Sequence, residues 1–141
     1  MTELASKKRP EFRNINAFKD LPTYRLPPAG LVSILHRISG VVMFLLMPLV
    51  IWMFDKSVSS EISFAKFTHA LQGPVGIVFK LVLLVLLWAY LHHFTAGIRH
   101  VWMDVSHKAV TKQTGNNSAR FTLAFSLILT VILGAKLFGL Y

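Results

Sequence analysis

Three apolar runs, each long enough to cross a lipid bilayer, constrain this chain more than any other feature. A helix needs about 20 mostly apolar residues to span the hydrocarbon core. The runs occupy about residues 29–54, 75–98 and 121–141. The first ends at Asp55 and Lys56, the second is interrupted by Lys80 and by His92 and His93, and the third carries Lys136 near its far end. They are continuous rather than alternating, which excludes a membrane β-barrel. The expected fold class is therefore an all-α membrane protein with three transmembrane helices. Residues 1–28 form a cytoplasmic segment and residues 29–141 the membrane domain. A chain of 141 residues then has no room for a soluble catalytic domain. Charged residues make up 15% of it, against roughly 25% in soluble domains. A net charge of +9 would by itself suit a nucleic-acid binder, but the charges sit at the ends of the apolar runs. Cysteine is absent, so disulfides, thiolate metal sites and cysteine nucleophiles are excluded.

Lysine and arginine in the flanks set the orientation. Lys7, Lys8, Arg9, Arg13, Lys19 and Arg25 precede the first run, and Arg99, Lys108, Lys112 and Arg120 follow the second. Only Lys56 and Lys66 lie between the first two runs. The N-terminus and the second connection are thus expected inside, with the C-terminus outside. No cleavable signal peptide is evident, because the first apolar run starts late and is too long for one. Three prolines between Leu21 and Pro28 preclude a regular helix there. Glu61 to Gln72 reads as a short amphipathic helix capped by Ser59 or Ser60 and ended by Gly73-Pro74. The stretch Thr111 to Ser118 reads as a polar loop, and Pro48 is expected to kink the first span. Trp52 and Trp102, near span ends, suit an interfacial aromatic belt.

Polar residues at membrane depth are costly and point to function. Ser33, His36, Arg37 and Gly40 fall on one face of the first span at 100° per residue. His93, Gly97, His100 and Asp104 form a second stripe on the next span. The two spans run in opposite directions, so both stripes meet near the inner side of the bilayer. A histidine in an apolar bundle suits axial ligation of haem iron, with its second ring nitrogen held by a partner. Arg37, His36 and His100 are placed for the haem propionates. Gly40 and Gly97 would let a flat macrocycle approach the backbone. Ser33 and Arg37 also suit a quinone carbonyl, since a cation and donors stabilise the developing quinol anion. Asp104 is a candidate for a proton path, or else pairs with Lys108 at i+4. Each residue also has a plainer role: His36 and His93 as interhelical donors, Arg37 as a snorkelling side chain, the glycines as packing positions. His92 points about 100° away from His93 and is expected to support the site or to face a partner. A second ligand could be His36, but Arg37 beside it suits the propionates, so the simplest arrangement borrows the second histidine from another membrane subunit.

The run Ser33-Ile-Leu-His36-Arg37-Ile-Ser-Gly40 resembles the first-helix signature of the succinate dehydrogenase cytochrome b556 subunit family. The run from His93 through Gly97-Ile-Arg99-His100 to Asp104 resembles that family's second signature, and Arg9-Pro10 also matches. The resemblance implies a membrane anchor of complex II in the bacterial inner membrane. Its partners would be a flavoprotein with FAD, an iron–sulfur subunit and a second hydrophobic anchor. It further implies haem b with His93 as this chain's axial ligand and the other histidine on the second anchor. His36, Arg37 and His100 would meet the propionates, and Ser33 and Arg37 would form part of the ubiquinone site. This chain would have no succinate-oxidising residues of its own; electrons would reach ubiquinone from the iron–sulfur subunit. Three other readings stand beside it: a fumarate reductase anchor, a self-contained dimeric cytochrome b sharing one haem, and a small membrane transporter with no haem.

Overall fold

The computed structural model describes residues 16–20 and 23–141. Most of the basic N-terminal segment, with Arg9-Pro10, lies outside the described residues, as do Leu21 and Pro22. All regular structure among the described residues is helical. A single turn, α1 (Ala17–Asp20), is followed by irregular backbone from Thr23 to Pro27. Three long helices then carry the architecture: α2 (Pro28–Val58), α4 (Pro74–Val105) and α5 (Lys112–Leu137). Between α2 and α4 lies α3 (Glu61–Ala70), and a 3-10 turn (His107–Val110) joins α4 to α5.

Proline at the first helical position starts both α2 and α4. Its fixed φ suits a helix start and its missing N–H would have been unpaired there in any case. The helix α2 continues through Pro48, which removes the N–H that would bond to the Phe44 carbonyl. The short α3 is the amphipathic segment, with the Ser60 side chain accepting from the Ser63 amide. Glycine at position 76 is required, because a Cβ there would collide with the Leu71 backbone. Trp52 packs edge-on against Phe67 of α3 and Phe79 of α4, so the three rings tie α2, α3 and α4 together at this corner.

The three long helices are apolar and long enough to cross a membrane. Their outward faces are apolar too: Phe44, Leu45, Ile51 and Phe54 on α2 are exposed in the isolated chain. A soluble monomer would not present such a continuous apolar surface to water. The small core of Val32, Ala96 and Ala119 lies where α2, α4 and α5 meet.

Two segments differ from their expected form. The stretch Thr111 to Ser118 is not a loop: Thr111 caps α5 by accepting from the Thr114 amide, and the rest forms its first turns. Lys112, Gln113 and Asn117 stay exposed on the outer face of these turns, while Gly115 and Ala119 are buried. The second long helix also extends beyond residue 98 to Val105, so His100 and Asp104 ride on the same rigid rod as His93.

Candidate functional site

The two polar stripes meet. The His36 ring of α2 stacks on the His93 ring of α4, with centroids 4.1 Å apart and planes inclined by 26°. His100 lies one further step along α4, its ring 5.1 Å from His36. Gly40 eases this approach, whereas Gly97 leaves only ordinary contact distance. A Cβ on Gly40 would lie 3.1 Å from His93 Cε1, and one on Gly97 would lie 3.8 Å from His36 Nε2.

His93 is held through one nitrogen. Its Nδ1 lies 3.0 Å from the His36 carbonyl oxygen, an atom that only accepts. The bond therefore requires the proton on Nδ1, which leaves the Nε2 lone pair free. The Ser39 hydroxyl donates to the same carbonyl at 2.8 Å and sits 3.3 Å from His93 Nδ1. Nε2 of His93 makes no hydrogen bond in the chain, and it is not among the enclosed unpartnered atoms. Beside it runs an open groove of about 520 Å³ lined by His93, Phe94, Gly97, Ile98, Val101 and Trp102. His36 Nε2, in contrast, is enclosed and has no partner. A buried polar nitrogen without a partner is costly and marks a place where a ligand or water fits.

These residues fit an axial haem ligand by chemistry. A ligating imidazole donates its other N–H to a carbonyl or carboxylate, which fixes tautomer and ring orientation. His93 already does so. Among the described residues no group of three histidine and carboxylate side chains is placed to enclose a bare ion.

The remaining site candidates lie around this centre without touching it. Ser33 is half-buried on α2, one turn before His36, and Arg37 is exposed. Asp104 is exposed, one turn beyond His100. It does not pair with Lys108: the one ion pair among the described residues joins Asp55 and Lys56. Ser33, Arg37 and Asp104 are thus available to groups outside the chain.

Three residues take places that the sequence did not reveal. His92 faces no partner, because it is fully buried against α5. Its Nδ1 lies 3.2 Å from Ser126 Oγ, and its ring stacks on Trp88. The 100° step from His93 turns it into the bundle centre, away from the site. Arg99, counted above as a flanking charge, is buried: Nε donates to Ser118 Oγ at 3.0 Å and Nη2 to the Gly115 carbonyl at 3.1 Å. Ser39 is fully buried against His93. Its signal was present, since it lies three residues after His36 and beside Gly40 on the same face.

Comparison with known proteins gives a consistent result. Residues 7–133 match the family described as the succinate dehydrogenase/fumarate reductase transmembrane subunit. A succinate dehydrogenase cytochrome b556 subunit of Coxiella burnetii is 37% identical over 115 residues, covering 82% of this chain and 90% of that protein. A protein of the same name from Paracoccus denitrificans is 30% identical over 112 residues, covering 79% and 83%. One from Rickettsia felis is 26% identical over 113 residues, covering 80% and 85%. With three membrane-length helices and a match across nearly its whole described length, the chain is a multi-pass membrane protein of the succinate dehydrogenase/fumarate reductase transmembrane subunit family.

Proposed function

We propose that this chain anchors a succinate:ubiquinone oxidoreductase in the inner membrane, holding haem b and forming part of the ubiquinone-reduction site. The observation that carries the reading is the His93 imidazole. Its Nδ1 is tied to the His36 carbonyl, its Nε2 is free, and an open apolar groove lies beside it. The name cytochrome b556 borne by its relatives supports haem b as the group held. That name also favours succinate oxidation over fumarate reduction, although the family covers both.

His93 would ligate the iron, and the second anchor would supply another histidine. His36, stacked on His93, and His100, tilted against His36, would meet the propionates together with Arg37. The bound haem would supply a one-electron redox centre. Ser33 and Arg37 would bind a ubiquinone carbonyl, with the guanidinium stabilising the negative charge that develops as electrons arrive. Asp104, exposed at the far end of α4, would relay protons to the reduced quinone. The flavoprotein and iron–sulfur subunits would dock on the cytoplasmic side, where the N-terminus and the α4–α5 connection would lie by their flanking cations. Oxidation of succinate itself would belong wholly to those partners.

The test is His93→Leu in the assembled complex. The expected result is loss of the low-spin haem spectrum with succinate oxidation by a soluble dye acceptor retained. A normal low-spin haem in the variant would remove His93 as ligand.

A further inference from the structure

Ser39 has no place in the reading above, yet its side chain touches the centre of the site. It is fully buried, and its Oγ makes two contacts. One is a hydrogen bond donated to the His36 carbonyl at 2.8 Å; the other is the 3.3 Å approach to His93 Nδ1. The His93 N–H therefore has two oxygens before it, one from the α2 backbone and one from the Ser39 side chain. A serine three residues after a carbonyl commonly bonds back to it, which is a local helix habit. Here that habit has a consequence on the neighbouring helix. With its proton committed to the His36 carbonyl, the Ser39 oxygen turns its lone pairs outward and accepts from the imidazole. A hydroxyl in the opposite role would donate to Nδ1 and push the ring proton to Nε2, where it would block metal ligation.

We propose that Ser39 is a positioning residue for His93. It holds the imidazole in the Nδ1-protonated tautomer and in one rotation, so that Nε2 is presented to the iron. Gly40 completes the device, since a Cβ there would reach His93 Cε1 at 3.1 Å and disturb the same ring. The inference rests on the reading of His93 as haem ligand and adds a residue that controls how that ligand acts. Two acceptors on the N–H make the ligand more basic than one does and favour ferric iron. Removing the hydroxyl should therefore raise the haem potential and loosen the ring's orientation.

The experiment is Ser39→Ala in the intact detergent-purified complex, read by electron paramagnetic resonance of the ferric haem and by redox titration. The largest g value should move or split. The ferric/ferrous equilibrium should change two- to tenfold toward ferrous, at most about 59 mV for one electron. Ser39→Cys, nearly the same size with a weaker acceptor, should fall between, and it serves as the test if the alanine variant does not assemble. Val32→Ala, which trims another fully buried side chain of α2, controls for packing. Wild-type g values and potential in the Ser39 variants, or an equal change in Val32→Ala, would overturn the proposal. Failure of the underlying haem reading is distinguishable, because His93→Leu would then keep its low-spin haem.

Discussion

The two seams of the bundle are built from different materials. Between α4 and α5 the contact residues are small: Gly115, Ala119, Thr122, Ser126, Thr130 and Gly134 form a buried line along α5. Their hydroxyls bond back to their own helix, as Thr122 does to the Ser118 carbonyl and Thr130 to that of Ser126. Arg99 clamps the end next to the α4–α5 connection with two hydrogen bonds. Small residues let helices approach closely in a membrane, where association depends on packing and hydrogen bonds. Between α2 and α4, three imidazole rings occupy the contact, Gly40 leaves room beside His93, and an open groove runs alongside. One seam holds the chain together, and the other keeps nitrogen atoms and a cavity available to a ligand. Each has one enclosed unpartnered nitrogen: His92 Nε2 in the first and His36 Nε2 in the second.

Substitutions that separate stability from function sharpen this contrast. Arg99→Ala has the largest expected effect on the fold. Hydrogen bonds to a charged group contribute about 1.5–3 kcal/mol each, so loss of two should cost on the order of 3 kcal/mol. Thermal denaturation of the purified complex should show a clear drop, while haem that remains bound keeps its wild-type spectrum. Arg37→Ala should do the reverse. The side chain is exposed, so the melting temperature should hardly move, within about 0.5 kcal/mol. Quinone reductase activity should fall well below dye-linked succinate oxidation; equal losses in both assays would argue against a quinone role. Gly40→Ala should have the smallest effect. The added methyl meets His93 Cε1 at a distance the ring can yield to by a few tenths of an ångström. Its signature is a small shift in the haem α band or in the ferric g values, with assembly unchanged; an unaltered spectrum would show that the seam has more room than this geometry gives.

The two seams also differed in how much the sequence revealed. The α2–α4 seam was legible because His36, His93 and His100 stand out in apolar runs, and helical spacing puts them on facing stripes. That His36 stacks on His93, and that Arg37 stays exposed outside the contact, shows only in the packed structure. The α4–α5 seam was not legible. Serine, threonine and glycine are ordinary in membrane helices, and their alignment shows only once the partner helix is known. Thr111 to Ser118 has the composition of a loop, yet a threonine cap and the buried Arg99 contacts fold it into α5. Arg99 itself looked like a flanking charge. Only tertiary contact distinguishes a buried clamp from an interfacial cation when both are arginines at a helix end.

The most direct test of the central claim is a dithionite-reduced minus oxidised visible spectrum of the purified, detergent-solubilised assembly, with its subunits resolved on a gel. The account predicts a sharp low-spin b-type α band together with a flavoprotein, an iron–sulfur protein and a second small membrane subunit. An intact, folded assembly with no haem would contradict it, as would a b-type band from a preparation containing this chain alone.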